Sequence, residues 1–335
     1  MRAWTIADSF GIEHLRLTER PDPQPGHGQV VLAVKAVSLN FRDLLMVKGV
    51  YNPKLALPRI PCSDASGEVV AVGPGVTRVA VGDRVCSTFM QKWVCGPVSD
   101  RVGRSALGGE IDGVLADRVL LSEEGVVKYP AHLSFEEAAT LPCAAVTAWN
   151  ALAEGGLRAG ETVLLQGTGG VSIFALQIAK LFGARALITS SSDEKLERAL
   201  ALGAAAGVNY RTNADWDKWA RAESGGVGVD HVVEVGGAGT LERSLKAVRT
   251  GGHIALIGVL SGMGSVNPVP ILMRSLNVRG IFVGSRLMFE EMTRALEMHK
   301  VQPVIDYTFP LDDFPRALQY LESGAHFGKV VLRVS

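Results

Sequence analysis

Glu161-Thr162-Val163-Leu164-Leu165-Gln166-Gly167-Thr168-Gly169-Gly170-Val171-Ser172 passes from an apolar run into a glycine-rich turn, and Ile173 to Leu181 continues as a helical pattern. Glu161 to Leu165 has the character of a buried strand, and Ile173 to Leu181 spaces apolar residues among good helix formers. Strand, tight glycine turn and helix in that order are the context in which a Gly-rich motif takes the pyrophosphate of a dinucleotide. Glycine lets the backbone approach the phosphates, and the helix N-terminus adds unpaired N–H groups and the positive end of its dipole. Gly167, Thr168, Gly169, Gly170 and Val171 are therefore candidate cofactor contacts. A turn needed only for packing has the same composition; the flanking strand and helix are what favour binding.

The pattern extends outward from this motif. Ser134 is a candidate N-cap, and Glu137 three residues on completes a capping box. After the motif helix come a strand (Ala186 to Thr189), a helix (Asp193 to Leu202), a strand (Val229 to Val235), a helix (Thr240 to Val248) and a strand (His253 to Gly258). Such repeated β–α units build a doubly wound parallel sheet, so the fold class is α/β. Residues 1–125 read differently, as short β-branched strands such as Val30 to Val37 and Gly67 to Gly73, punctuated by Gly and Pro. They predict a small barrel-like domain. The tail returns to a mixed pattern and closes on the strand Lys329 to Arg333.

The chain has 335 residues, enough for about two domains. Its 47% hydrophobic and 20% charged residues are typical of a soluble globular enzyme. Thirty-four basic residues balance 34 acidic ones, so the overall basic footprint of a nucleic-acid binder is missing. Apolar stretches break well short of a membrane span, and Met1 to Thr5 lacks the apolar core of a signal peptide. The four cysteines, Cys62, Cys86, Cys95 and Cys143, form no C-x-x-C pair. That spacing argues against a zinc knuckle or a disulfide framework and points to the cytoplasm.

Several further strings carry a family resemblance: Gly73-Pro74-Gly75-Val76, Val81-Gly82-Asp83-Arg84-Val85, Leu141-Pro142-Cys143 through Trp149, and Gly328-Lys329-Val330-Val331-Leu332. With the glycine turn, they make the whole chain resemble the medium-chain dehydrogenase/reductase superfamily. The resemblance implies a GroES-like β-barrel domain (1–125, completed by 285–335) and a Rossmann dinucleotide-binding domain (126–284), with nicotinamide and substrate in a cleft between them. It also implies a homodimer formed by pairing Rossmann-sheet edges, here near Val278 to Val283.

Within that superfamily the zinc alcohol dehydrogenases carry a Cys, a His in a Gly-His-Glu string, and a third Cys or acidic ligand. This chain has Asn40 at the first position, Ser63 in Cys62-Ser63-Asp64 at the second, and Cys143 at the third. Amide and hydroxyl are poor ligands for tetrahedral zinc, so no metal is expected. Cys143 is then expected to be a small buried residue and Asp64 a structural partner. The pattern resembles the zinc-free branch of quinone oxidoreductases, enoyl reductases and zinc-type alcohol dehydrogenase-like proteins. Asn40 and Asp43 in N-x-x-D and Tyr51 in Gly49-Val50-Tyr51 match it. Leu45 departs from it, because several quinone reductases carry a second Tyr there.

An NAD site usually ends its second strand on an acidic residue. Here Ser190 takes that place, and a 2′-phosphate meets no like charge. Ser190, Ser191 and Lys195 can bind such a phosphate, so NADPH is preferred over NADH. Tyr210 matches a Tyr that contacts it in NADPH quinone reductases. By the same resemblance Thr147 lies near the nicotinamide, and the turns at Gly236, Gly258-Val259 and Val283-Gly284 run along the ribose and carboxamide.

Without zinc, the expected substrate is a small molecule already electrophilic: a quinone or an α,β-unsaturated carbonyl. Donors must then stabilise the anion that hydride addition creates. Candidates are Asn40, Arg42 and Tyr51. Arg42 either stabilises an enolate or hydroquinone anion or pairs structurally with Asp43 or Asp64. Tyr51 either donates a proton or lines the pocket. Met46, Phe89, Met90 and Trp93 read equally well as pocket lining and as core. The rival readings are an alcohol/aldehyde dehydrogenase of the same superfamily and a dinucleotide-binding protein without catalysis.

Overall fold

The computed structural model describes residues 1–262 and 264–334; Met263 and Ser335, the last residue of the expected 285–335 segment, lie outside the described residues. The chain divides into two compact units, Met1–Val146 with Gly284–Ser335, and Thr147–Val283.

In the first unit the long strand Gln29–Leu39 is the axis of a mixed seven-stranded sheet. Asp64–Val72 and Lys329–Arg333 flank it, both antiparallel to it. Arg118–Ser122 pairs with its first half. Val30, Leu32, Val34, Val37 and Leu39 of this strand pack into one apolar core with Trp4, Ile60, Leu115, Phe314 and Leu332. The unit runs past residue 125 because Val126–Lys128 pairs with Arg84–Ser87, and Ser66 Oγ hydrogen-bonds the Phe135 carbonyl. The capping box forms as its sequence requires. Ser134 Oγ accepts the Glu137 N–H (3.1 Å), and the Glu137 carboxylate accepts the Ser134 N–H (2.8 Å), opening the helix Phe135–Ala139.

The register of three adjacent strands brings distant residues to one end of this sheet. Ser38 pairs with Asp64, and Leu39 pairs with Val330. Asn40, Asp64 and Lys329 therefore meet at the end of Gln29–Leu39, although 289 residues separate Asn40 from Lys329.

The second unit is a six-stranded parallel sheet in the order Ala206–Asn209, Arg185–Ser190, Thr162–Gln166, Val229–Glu234, Val248–Leu256, Asn277–Gly280. This is the doubly wound order, with its reversal between Thr162–Gln166 and Val229–Glu234, where such sheets bind ligands. Leu164, Leu187, Val232 and Ile254 of the sheet bury against Trp216, Ala220, Leu241 and Leu245 of the helices Trp216–Glu223 and Ala238–Ala247. Element limits differ from expectation by a few residues. The largest shift is at Val248–Leu256, which begins five residues before His253, with Gly251 at a left-handed φ of 71° inside it.

His231 and His253 stand side by side on neighbouring strands, with rings 5.6 Å apart. His231 Nε2 meets the Glu161 carboxylate at 3.0 Å. Both nitrogens of His253 are buried without a partner among the described residues. Burial, followed by the neighbouring His231 and Arg279, lowers the His253 pKa to about 4. The unfolded chain therefore binds a proton here near pH 6.5 that the folded chain refuses until about pH 4. The stability associated with neutral His253 is full above pH 6.5 and is lost as pH falls toward 4, by about 3 kcal/mol at most. His253→Leu removes both that penalty and two unsatisfied polar atoms. Its unfolding midpoint in urea should exceed wild type by an amount that grows from pH 7 to pH 4.5; a gap independent of pH would contradict this account.

Candidate active site

Asn40 precedes the helix Phe41–Val47 as its N-cap. The Asp43 carboxylate accepts the Asn40 N–H at 2.8 Å, and the Asp43 N–H donates to the Asn40 carbonyl at 2.9 Å. This pins the backbone that carries the Asn40 amide. Lys329, 3% exposed, donates its ammonium to the Leu39 carbonyl and to Asn40 Oδ1, both at 2.6 Å. Asn40 Nδ2 is buried and turned to the Asp64 carboxylate, whose charged form it favours, without a close hydrogen bond.

Asp64 is fully buried. It accepts Ser63 Oγ at 2.6 Å and the Cys143 N–H at 3.0 Å. Burial raises its pKa, while Lys329, Ser63, Asn40 and Cys143 draw it back down. Burial likewise lifts Asp43 to about 6 against the opposing charge of Arg42. Cys62, just before Ser63, takes a left-handed φ of 69°. Gly108 and Gly113 pack against its backbone so closely that a Cβ on either would lie within 3 Å of it. The site's backbone is thus held in a strained form by its neighbours.

The positions Asn40, Ser63 and Cys143 do converge, around Asp64. They converge as an amide, a hydroxyl already donating to a carboxylate, and a thiol whose pKa burial and Asp64 push up. The cation among them is Lys329. Among the described residues no three His, Cys, Asp or Glu side chains are gathered to hold a metal ion. Cys143 is partly rather than fully buried, on the π-helical turn Leu141–Ala145.

Arg42 pairs with neither Asp43 nor Asp64. Its Nη2 donates to the Leu107 carbonyl at 2.9 Å, and its guanidinium lies 4.4 Å from the Phe89 ring centroid and 5.7 Å from that of Tyr51. Nη1 is buried and unpartnered among the described residues. Gly109 leaves room for this arrangement, since a Cβ there would meet Nη2 at 2.5 Å. Tyr51 is 48% exposed, whereas Met46, Phe89, Met90 and Trp93 are buried.

In the second unit the glycine turn has the form its sequence predicts. Gly167 takes φ 70°, and a Cβ on Gly167 or Gly169 would meet open space, leaving a cradle bare of side chains. The helix Gly170–Leu181 begins without a side-chain cap, so its first N–H groups stay available. Thr168 is largely buried, and Ser172 Oγ braces the turn by donating to the Gln166 carbonyl at 2.6 Å. This is a fit for a dinucleotide pyrophosphate.

Ser190 pairs in register with Asn209, and the Tyr210 N–H donates to the Ser190 carbonyl, so the candidate 2′-phosphate residues share one corner of the sheet. Ser190 is 1% exposed and accepts the Ser192 N–H at 3.3 Å. Ser192 caps the helix Asp193–Ala201, whose first turn carries Lys195, and Ser191 lies between them half-buried. Arg211 follows Tyr210 at the same corner, and Asp193 is tied to the Asn209 amide at 2.8 Å.

Sequence reasoning missed Glu234, the organiser of the other turns. It is fully buried at the end of Val229–Glu234. Its carboxyl group accepts the N–H groups of Gly236 (2.8 Å) and Gly237 (3.0 Å), Thr240 Oγ1 (2.5 Å), Gln166 Nε2 (2.7 Å) and Ser244 Oγ. The Gly236 turn rests on the Gly258-Val259 turn, because a Cβ on Gly237 would lie 2.9 Å from the Val259 Cα. Thr147 is buried, and Val283 holds a left-handed φ of 56° with its carbonyl accepting Asn150 Nδ2 at 2.7 Å. Gly284 has no room for a side chain against Val146. No helix among the described residues is long and apolar enough to cross a membrane.

Residues 26–131 match the family model of the alcohol dehydrogenase GroES-like domain, and residues 170–299 match that of the zinc-binding dehydrogenases. The zinc-type alcohol dehydrogenase-like protein C1773.06c of Schizosaccharomyces pombe is 43% identical over 97% of this chain and 96% of its own. The 2-methylene-furan-3-one reductase of Solanum lycopersicum is 31% identical over 99% of this chain and 79% of its own. The solved structure of a protein described as an alcohol dehydrogenase from Sinorhizobium meliloti 1021 superposes with a TM-score of 0.92 at 44% identity, covering 99% of this chain and 98% of that one.

Proposed function

Since the chain belongs to the medium-chain dehydrogenase/reductase superfamily of NAD(P)H-dependent oxidoreductases, we propose that it moves hydride from NADPH to a quinone or an α,β-unsaturated carbonyl without the help of zinc. The observation that carries this reading is a buried cationic donor with no partner among the described residues, Arg42 Nη1, in the unit where zinc relatives place their metal. Unsatisfied buried donors cost about 1–3 kcal/mol each, and such a cost is tolerated where a ligand repays it. The relative that reduces a methylene-furanone by name acts on an activated alkene, the same class of substrate.

Bound NADPH supplies the hydride. The glycine turn and the N-terminus of Gly170–Leu181 hold its pyrophosphate. Ser190, Ser191, Lys195, Tyr210 and Arg211 meet its 2′-phosphate, where a carboxylate would repel it. As hydride adds to an enone, negative charge grows on the carbonyl oxygen. Arg42 Nη1 donates to that oxygen, fixed in advance by the Leu107 carbonyl and the Phe89 ring, while Asn40, whose Oδ1 Lys329 holds, caps the helix that carries Arg42. We assign the return of the proton to Tyr51, half-exposed with its ring centroid 5.7 Å from the Arg42 guanidinium. Zinc is unneeded because this donor acts on an acceptor that is already electrophilic. It is also poorly accommodated, since two of its three expected ligand positions are Asn40 and Ser63 and a lysine ammonium supplies the local positive charge. We also place dimerisation at Asn277–Gly280, an edge strand paired on one side only.

Arg42→Leu tests the donor role. It should lower kcat for an enone on the order of 100-fold while the NADPH Kd, read by fluorescence titration, stays within about twofold. A variant with unchanged kcat removes Arg42 from the mechanism.

A further inference from the structure

We propose that the acceptor brings its own negative charge to Arg42: the substrate is an enone with a carboxylate on its keto carbon, a β,γ-unsaturated α-keto acid. This rests on the reading of Arg42 as the donor to the reacting oxygen. Three arginines among the described residues keep a buried guanidinium nitrogen without a partner: Arg42, Arg59 and Arg286. The other two reach carboxylates, Arg59 at Asp112 (3.4 Å) and Arg286 at Glu124 and Glu290. Arg42 contacts the Leu107 carbonyl and the rings of Phe89 and Tyr51, all of them neutral. Arg84 is seated in a similar way, on the Leu133 carbonyl at 2.8 Å and 4.5 Å from the Phe135 ring centroid. Its Nε, however, also donates to the Tyr129 hydroxyl, and none of its nitrogens is both buried and unpartnered.

The charged groups of the same cluster are occupied elsewhere. Asp43 feels the charge of Arg42 but accepts its hydrogen bond from the Asn40 N–H. Asp64 is held by Ser63 Oγ, the Cys143 N–H and the charge of Lys329. The Lys329 ammonium donates to the Leu39 carbonyl and Asn40 Oδ1. Arg42 stands apart from this set with a donor to spare, and its side chain is partly exposed, within reach of a ligand. A cation drawn out of water without a contacting anion is costly, and a ligand anion offsets that cost. A guanidinium takes two oxygens side by side in its plane. In an α-keto acid the keto oxygen and one carboxylate oxygen can lie side by side, so one guanidinium meets both the resident charge and the charge that hydride addition creates. The γ-carbon accepts the hydride of NADPH, and the β,γ π pair shifts to make the enolate on the keto group. A proton at the β-carbon then gives the saturated α-keto acid, with NADP⁺ as the other product.

The test compares benzylidenepyruvate with its methyl ester as acceptor for NADPH, in wild type, Arg42→Leu and Arg42→Lys. The ester keeps the conjugated frame and is the more electrophilic of the two, so reactivity alone favours it. Wild type should nonetheless prefer the acid at least about tenfold in kcat/KM, with most of the difference in KM. Arg42→Leu should abolish that preference, and Arg42→Lys, which keeps the charge, should retain part of it. The saturated product acid should inhibit the wild type competitively against the enone while its methyl ester does not, which answers the question even if a variant fails to fold. A wild type that treats acid and ester alike, or an Arg42→Leu variant that still prefers the acid, would overturn the inference. A wild type that reduces neither of them, nor the neutral benzylideneacetone, would overturn instead the enone reading beneath it.

Discussion

Glu234→Ala should lose about 3–5 kcal/mol of stability and most of its affinity for NADPH. The side chain is fully buried and binds five donors. Two of those donors are the backbone N–H groups of Gly236 and Gly237, which shape the turn after the fourth strand of the sheet order. A third is Gln166, the residue that leads into the glycine turn, whose Oε1 also accepts the Val235 N–H at 3.2 Å. Removing the carboxyl group leaves the Gly237 N–H and the Ser244 hydroxyl proton without an acceptor, at about 1–3 kcal/mol each, while Gln166 Nε2, the Gly236 N–H and Thr240 Oγ1 keep other partners. Glu234→Gln keeps one accepting oxygen and should lose less than half as much. Chemical unfolding gives the stabilities, and a variant within 1 kcal/mol of wild type (about one ordinary surface substitution) would show that the network is not what holds the turns.

Ser190→Asp should reverse the cofactor preference. Ser190 closes the strand Arg185–Ser190 beside Asn209 and Tyr210, with Lys195 and Arg211 nearby in sequence. A carboxylate at that position faces a 2′-phosphate as a like charge, which at an effective dielectric constant near 20 costs about 3 kcal/mol. That corresponds to a loss on the order of 100-fold in kcat/KM for NADPH. The same carboxylate accepts the ribose hydroxyls of NADH, so kcat/KM for NADH should rise. The wild-type network leaves space for the change in one respect: Asp193 is already engaged by Asn209 and does not compete for the corner. Equal effects on the two cofactors would place the 2′-phosphate away from Ser190.

Much of this was legible in the sequence where local signals are strong. The glycine turn, the Ser134–Glu137 capping box and the strand Lys329–Arg333 stand where their residues predict them. Each is decided within a few residues, by turn chemistry, capping or alternation. Lys329 was legible only as part of a closing strand, because its partner Asn40 is brought to it by strand register and not by spacing. Glu234 looked like the last residue of an ordinary strand. Its five bonds come from the following turn, the helix Ala238–Ala247 and the distant Gln166, and a carboxylate folded back onto its own turn leaves no mark in an apolar strand pattern. Arg42 shows the opposite case: proximity in sequence to Asp43 suggested an ion pair, but the helix turn carries the guanidinium away to Leu107 and Phe89. Met46, Phe89, Met90 and Trp93 are buried, and apolar composition alone cannot separate that from a pocket wall.

The most direct test of the central claim is NADPH oxidation, with NADH in parallel, against quinones, enones and aldehydes in buffer containing a chelator. The account predicts turnover of quinones or enones, NADPH preferred over NADH, and no loss of rate with the chelator present. Activity confined to aldehydes, or activity abolished by the chelator, would contradict it.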